Sequence, residues 1–206
     1  AGVEVAVIDT GIDLKHPDLV DKIVPGWDIV DNDDSPMDGQ GHGTHRSGIA
    51  AASTNNKIGV SGVAPNVKLM GVRVLDDNGS GTYADVTNGI LWAAEHGAHV
   101  ISMSLGGPSS SEALVDAIKV ANEKDVLVVA AMGNNGREVE SYPAAIPGVM
   151  AIGATDSKDK KASFSQFGKW ISVTAPGVGI LSTFPTYASG MPGKDYGSIS
   201  GTSMAT

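Results

Sequence analysis

The sequence predicts an α/β domain with a doubly wound, mostly parallel sheet and helices on both faces of that sheet. Short runs rich in Val and Ile alternate with segments of helical periodicity. Such alternation is typical of a parallel sheet flanked by helices, because its strands are buried on both faces. The 206 residues also suffice for one large core and contain no linker or internal repeat, so a single domain is predicted.

The predicted strands are the short Val- and Ile-rich runs. In chain order they are Val3–Asp9, Val67–Val74, Val100–Ser104, Val126–Ala131, Val149–Ala154 and Ile171–Ala175. Beyond Ala154 the regular alternation breaks into segments rich in Gly, Pro and Ser, so mainly loops are predicted there.

Helices are predicted between these strands, where apolar residues recur every three or four positions. The predicted helices are Gly43–Ala52, Tyr83–His96 and Ser111–Glu123. The second helix has an apolar face formed by Val86, Ile90, Leu91 and Ala94. The third has one formed by Leu114, Ile118 and Ala121. Each stripe predicts a helix that packs one side against the sheet.

The composition excludes several classes of protein. The chain has 14 Lys+Arg and 23 Asp+Glu, a formal net charge of −9, which argues against a basic surface for nucleic acid. Its longest apolar run, Val126–Met132, is much shorter than the roughly 18 residues of a membrane-spanning helix. The absence of Cys excludes a disulfide framework, a thiol nucleophile and a thiolate zinc site. We therefore expect neither nucleic acid nor membrane as a partner.

Three polar residues stand at Gly-rich turns. Functional groups collect at the carboxyl ends of strands in open α/β sheets, and Asp9 ends the first predicted strand. His42 lies among glycines just before a helix, and Ser203 lies in the small-residue turn Gly201–Ala205. Taken singly, each fits an ordinary cap, turn or structural role. Together, an Asp, a His and a Ser are the three groups that activate a hydroxyl for acyl transfer.

The segments that carry these residues resemble the signature motifs of the subtilisin-like serine peptidases. They are Val-Ile-Asp-Thr-Gly at 7–11, Gly-His-Gly-Thr-His at 41–45 and Gly-Thr-Ser-Met-Ala at 201–205. The resemblance covers nearly the whole chain and points to the thermitase-like branch through Gly-Trp-Asp at 26–28. It implies an endopeptidase of broad specificity for protein and peptide substrates, with Ser203 as nucleophile, His42 as general base and Asp9 orienting the imidazole.

The resemblance also assigns residues around this triad. Asn134 matches the family residue whose side chain helps to bind the oxyanion, while a left-handed turn residue is the alternative. Two segments match those that bind an extended substrate as an added strand, namely Gly79, Ser80 and Gly81, with Ser104, Leu105 and Gly106. The primary specificity pocket is expected from Leu105, Gly106, Ala131, Asn135 and Ser141.

Calcium is the cofactor that the resemblance implies, at two places. The first has hard carboxylate oxygens of the kind that Ca²⁺ prefers, from Asp28, Asp31 and Asp33. Met37 stands where the family pattern has a Gln ligand, which predicts a weaker site. A solvated acidic loop is the alternative.

The second expected calcium site is a loop that the family wraps around the ion with side-chain and backbone oxygens. Its ligands here are Asp18, Thr54, Asn56, Ile58 and Val60. An ordinary Asn/Gly turn is the alternative. Zinc is not expected, because His42 and His45 lack a third ligand and the His-Glu-x-x-His pattern.

The resemblance further implies that residues 1–206 are a single peptidase domain truncated at both ends, lacking the family's N-terminal segment and the C-terminal helices after the nucleophile. It implies secretion, although an intracellular location stays open, and a pro-region or protein inhibitor as a candidate partner. Two functions stay open: a calcium-stabilised serine endopeptidase, or a catalytically incompetent fragment that serves as a calcium- or peptide-binding scaffold. An α/β-hydrolase is excluded, because in that fold the Asp and His follow the Ser in the chain, whereas Asp9 and His42 precede Ser203 here.

Overall fold

A seven-stranded sheet forms the centre of the fold in the computed structural model, which describes residues 2–206. Its strands are β1 Glu4–Asp9, β2 Ile23–Asp28, β3 Lys68–Arg73, β4 Val100–Met103, β5 Leu127–Ala131, β6 Val149–Thr155 and β7 Val173–Pro176. They lie in the order β2-β3-β1-β4-β5-β6-β7, and every neighbouring pair is parallel. A separate antiparallel pair is formed by β8 Ile180–Thr183 and β9 Tyr196–Ile199. The predicted parallel sheet is confirmed.

In the part of the chain that the structure describes, four α-helices accompany the strands. They are α1 His42–Ala51, α2 Tyr83–Glu95, α3 Glu112–Glu123 and the short α4 Thr202–Ala205. Side chains cap two of them: Thr82 and Asp85 form a reciprocal capping box at α2, and Ser111 accepts from the N–H of Leu114 at α3. Such caps satisfy N–H groups that have no partner inside the helix. Across the described residues, no helix combines the length and apolar character needed to cross a membrane.

Different helices cover the two faces of the sheet. In β1, Ala6 and Ile8 belong to the core that also contains residues of α2 and α3. Val7 packs instead into a second core with Ala51 of α1. Because successive side chains of a strand point to opposite faces, this division confirms the doubly wound arrangement with helices on both faces.

β2 and the β8–β9 pair are not among the strands predicted from the sequence. β2 lies at an edge of the sheet, contains Pro25 and Gly26, and shifts register against β3 between Val24 and Trp27. An edge strand tolerates proline, which has no N–H to donate, but the residue disrupts the strand pattern in the sequence. Residues 184–195 separate β8 from β9, so no short hairpin turn marks that pair.

The strand order reverses beside β1. The chain places β3 on one side of β1 and β4 on the other, and a crevice opens at the carboxyl ends of strands at such a point. Asp9 is the last residue of β1, and Ser104 directly follows β4. The fold therefore brings two of the predicted site residues to the position where open α/β sheets bind ligands.

Candidate active site

Asp9 and His42 form the best-defined contact of the site. Asp9 is completely buried at the end of β1, and its Oδ1 accepts a hydrogen bond from His42 Nδ1 at 2.7 Å. The backbone N–H of Thr10 donates to the same oxygen at 2.8 Å. Because Nδ1 is engaged by the carboxylate, Nε2 of the imidazole is left for another partner.

A buried carboxylate holds the loop that presents His42. Asp38 accepts five hydrogen bonds, from the N–H groups of Gln40, Gly41 and Thr44 and from the hydroxyls of Thr10 and Thr44. Burial raises the pKa of Asp38, and these hydrogen bonds oppose the rise. Gly41 has a φ of 108°, in the left-handed region that favours glycine. The Gly-rich motif therefore turns the chain sharply into α1, with His42 as its first residue.

Ser203 lies in α4 beside Ser104. Its Oγ donates to the carbonyl oxygen of Ser104 at 3.4 Å, and Ser104 Oγ donates to the carbonyl oxygen of Ser203 at 3.0 Å. Within residues 2–206 no hydrogen bond joins Ser203 to His42, so the structure joins two members of the predicted triad and leaves the contact between His42 and Ser203 unmade. Rotation about the Cα–Cβ bond of Ser203 would redirect Oγ, and catalytic hydrogen bonds often tighten only with substrate bound.

Thr202 orients the amide of Asn134, which follows β5. The Oδ1 atom of Asn134 accepts from the N–H of Thr202 at 2.8 Å and from its hydroxyl at 2.9 Å. Because two donors hold this oxygen, Nδ2 is left as a donor in the groove that Asn134 shares with Ser203. The sequence analysis missed Thr202, although a hydroxyl residue next to the expected nucleophile was a visible signal.

Two grooves meet along residues 104–108. His42 lines one of them, together with the predicted substrate residues Gly79, Ser80, Gly81, Ser104, Leu105 and Gly106. Ser203 lines the other, together with the predicted pocket residues Leu105, Gly106, Ala131, Asn135 and Ser141. Val139 and Glu140 also line this second groove, which the sequence analysis did not predict. The predicted substrate-binding residues thus lie on both sides of the predicted triad.

His45 serves a different part of the molecule from His42. Its Nε2 lies 3.1 Å from the carbonyl oxygens of Ile180 and Gly197, and its ring packs against Phe184. Burial lowers the pKa of His45 to about 4, so the ring is neutral at neutral pH. The two imidazoles therefore contact different parts of the molecule.

Arg46 is a partner of Asp9 that the sequence analysis did not predict. Its Nη1 donates to Oδ2 of Asp9 at 2.8 Å, and its Nη2 donates to the hydroxyl of Ser102 on β4. Burial raises the pKa of Asp9, but His42 and Arg46 outweigh this effect and hold it well below its ordinary value. Burial lowers the pKa of Arg46, which Asp9 opposes. The one sequence signal is an Arg placed one helical turn after His42.

The acidic residues at 28–33 already have partners. Arg73 Nη1 donates to Oδ2 of Asp28 at 2.8 Å and to Oδ2 of Asp31 at 2.7 Å. Asp33 accepts from the N–H of Ser35. In the part of the chain that the structure describes, no three His, Cys, Asp or Glu side chains converge as a metal-binding group. One guanidinium therefore pairs with two of the three carboxylates predicted for the first calcium site.

The loop at 53–61 encloses a hollow lined by its own residues. Its backbone is left-handed at every second central residue, namely Asn55, Lys57 and Gly59. Asp18 is fully buried beside the loop, and its carboxylate accepts from Asn56 Nδ2 at 2.6 Å and from the N–H of Val60 at 3.1 Å. The structure thus brings together the distant Asp and the loop predicted for the second calcium site.

The site combines an imidazole bound to a carboxylate, a nearby serine and an amide donor at the carboxyl edge of a parallel sheet. These are the groups of a serine hydrolase. Comparison with known proteins defines the class more closely. The model of the subtilase family matches residues 1–206, and the chain belongs to this family.

Several relatives are similar over the whole chain. It is 50% identical over 206 residues to thermitase from Thermoactinomyces vulgaris and covers 71% of that protein. It is also 50% identical over 206 residues to the thermophilic serine proteinase of Bacillus sp. (strain AK1) and spans half of its length. Among solved structures, a protease from Pseudoalteromonas arctica PAMC 21717 has a TM-score of 0.92 at 35% identity, with 100% of this chain and 74% of that chain covered. These relatives confirm the subtilisin-like fold and the serine peptidase class.

Proposed function

We propose that this protein is a serine endopeptidase that hydrolyses protein and peptide substrates through Asp9, His42 and Ser203. The observation that carries the proposal is the 2.7 Å hydrogen bond between Asp9 and His42. His42 lines one groove, and Ser203 lines the groove that adjoins it along residues 104–108. Family membership supports the same assignment.

The reaction proceeds in two halves. His42 Nε2 takes the proton of Ser203 as Oγ attacks the scissile carbonyl carbon, and the imidazolium then donates that proton to the leaving amine. The C–N bond breaks and an acyl ester on Ser203 remains. A water molecule, deprotonated by the same imidazole, hydrolyses this ester and regenerates the hydroxyl. Throughout, Asp9 keeps the proton on Nδ1 and stabilises the imidazolium.

Asn134 and the N–H of Ser203 would bind the oxyanion of the tetrahedral intermediate. The two bonds from Thr202 to Asn134 Oδ1 fix the amide before the reaction begins. Such fixed donors act most strongly on charge that develops in the transition state.

Asn134→Ala is expected to lower kcat by about 10²–10³, the magnitude known for the oxyanion donor of subtilisin, itself a member of this family. KM should change little, because the oxyanion does not exist in the ground state. Thr202→Val keeps the backbone donor to Asn134 and removes the hydroxyl, so a smaller loss of kcat is expected. Steady-state kinetics on a peptide anilide measure both variants. A rise in KM with unchanged kcat would place Asn134 outside the oxyanion site.

Contacts between the main chain of the enzyme and the main chain of the substrate would explain the proposed broad specificity. The substrate would lie as an extended strand between residues 79–81 and 104–106, which line one continuous cleft with His42. Pairing of this kind binds the peptide backbone and leaves side chains to the pocket. A pro-region or protein inhibitor would occupy the same cleft, and an extracellular location belongs to the same proposal.

Active-site titration separates this proposal from an inactive calcium- or peptide-binding scaffold. A serine-directed fluorophosphonate needs a nucleophile that an adjacent base activates. We expect one label per chain on Ser203 together with peptide hydrolysis. Peptide binding without labelling or turnover would support the scaffold instead.

Calcium fits the loop at 53–61 better than the acidic residues at 28–33. Backbone carbonyls of the loop and the buried carboxylate of Asp18 beside it would supply hard oxygens, which are the ligands that Ca²⁺ takes. Asp18, Asn56 and the carbonyls of residues 54, 58 and 60 would hold the ion. At 28–33 the guanidinium of Arg73 already takes two carboxylates, so we do not propose a tight ion there.

Chelation is expected to lower the melting temperature. An ion bound only by the folded protein, at a hundredfold its Kd, adds about 2.7 kcal/mol, which corresponds to roughly 5–10 °C for a domain of this size. Asp18→Asn should abolish the difference between melting curves with calcium and with chelator. Asp31→Ala should keep it, and so should Asp116→Asn on the exposed face of α3, the matched control. Identical wild-type curves in calcium and in chelator would contradict the loop site.

A further inference from the structure

Arg46 and His42 bind the two oxygens of the same carboxylate, that of Asp9. Oδ1 of Asp9 accepts from the imidazole, while Oδ2 accepts from Nη1 of Arg46 at 2.8 Å. His42 and Arg46 are four residues apart on α1, so both side chains lie on the face that meets β1. Ser102 on β4 takes the second arm of the guanidinium.

The guanidinium is a permanent charge inside the protein. The side chain of Arg46 is 3% exposed, and Asp9 is fully buried. Arginine does not lose its proton in proteins, and burying an ion pair generally adds little stability compared with apolar packing. A gain in stability therefore does not account for the buried position of Arg46. We look instead for its effect on Asp9, the member of the proposed triad that it contacts.

Asp38 and His45 are ionisable groups near this unit. Asp38 is linked to Asp9 through Thr10, whose hydroxyl donates to Asp38 and whose backbone N–H donates to Asp9. His45, on the same helix, has its pKa lowered to about 4 by burial. The groove beside His42 is lined by uncharged residues, among them Gln40 and Ser104. Among residues 2–206, Arg46 is thus the permanently charged group that contacts the carboxylate of Asp9.

We propose that Arg46 is a positioning residue that extends the activity of this peptidase to lower pH. It offsets the negative charge of Asp9, so the protonated form of His42 is less stabilised than it would be beside an unpaired carboxylate. The base form of His42, which must accept the Ser203 proton, then persists as the pH falls. The inference rests on the triad of the proposed function.

The fork of Arg46 also orients the carboxylate. With Oδ2 held by Arg46, the plane of Asp9 is fixed and Oδ1 stays aligned with Nδ1 of His42. Arg46 exchanges no proton in the cycle, since the proton moves only between Ser203, His42 and the leaving amine.

The pH profile of kcat/KM tests the charge effect. In Arg46→Met the acid-side midpoint is expected to rise by about 0.5–1 pH unit, less than a directly paired charge would produce, because Arg46 acts across the carboxylate. One unit below the wild-type midpoint, kcat/KM should therefore fall roughly 3–10-fold relative to wild type. Arg46→Lys keeps the charge and should keep the midpoint. Arg46→Gln removes the charge but can still donate to Oδ2, and it should reproduce the shift if the Met variant does not fold.

Two controls separate the possible failures. Ser102→Ala keeps both charges, so its acid-side midpoint should match wild type. The titration midpoint of the His42 ring proton resonances, followed by NMR in Ser203→Ala with and without Arg46→Gln, measures the effect without turnover. If the midpoint rises there but the wild-type protein hydrolyses no peptide, only the peptidase proposal is overturned. An active, folded Arg46→Gln or Arg46→Met enzyme with an unchanged midpoint would overturn the role of Arg46.

Discussion

Ser203→Ala and His42→Ala are each expected to abolish peptide hydrolysis, with a loss of kcat of about 10⁶. The magnitude is that of subtilisin, itself a member of this family, in which nucleophile and base act as one unit. Each variant removes one end of the proton transfer on which the attack depends, so the two losses should be alike and not additive. Active-site titration and steady-state kinetics measure the effect.

A matched control comes from an exposed turn. Ser157→Ala replaces a serine between Asp156 and Lys158, outside the residues that line either groove, and should leave kcat unchanged. The fluorophosphonate should label wild type and Ser157→Ala but not Ser203→Ala. Near-normal turnover by His42→Ala would show that the triad is assigned wrongly.

Asp9→Asn is expected to lower both activity and stability. An amide in place of the carboxylate favours the wrong tautomer of His42, and the same exchange in another Ser-His-Asp triad lowers kcat by about 10⁴. In this chain it also leaves the buried charge of Arg46 without its counterion. Breaking a buried pair costs about 3–5 kcal/mol, or roughly 6–20 °C in melting temperature for a domain of this size.

A double variant separates these two losses. Asp9→Asn combined with Arg46→Met removes both charges, so most of the lost stability should return while kcat stays low. Thermal melts and kinetics on the single and double variants measure this. If Asp9→Asn melted like wild type, the pair with Arg46 would contribute nothing, and if it kept full turnover, His42 would not depend on Asp9.

The sequence by itself determined the fold class and the approximate bounds of most elements. Six Val- and Ile-rich runs became strands, and three periodic segments became α1, α2 and α3, because burial on two faces or along one stripe leaves a local pattern. The motifs also determined the family, since glycines and small residues around Asp9, His42 and Ser203 are contiguous in the chain. The catalytic and metal-binding roles assigned to these motifs stay predictions.

Only the tertiary structure decided which charges meet. Arg46 pairs with Asp9 across the interface of α1 and β1, and Arg73 pairs with Asp28 across neighbouring strands. Thr202 holds Asn134 from another part of the chain. No local pattern encodes such contacts, because they join residues far apart in sequence and depend on side-chain direction after the helices have packed. The same packing places His42 and Arg46 of α1 against the end of β1. The carboxylate of Asp9 therefore binds an imidazole through one oxygen and a guanidinium through the other.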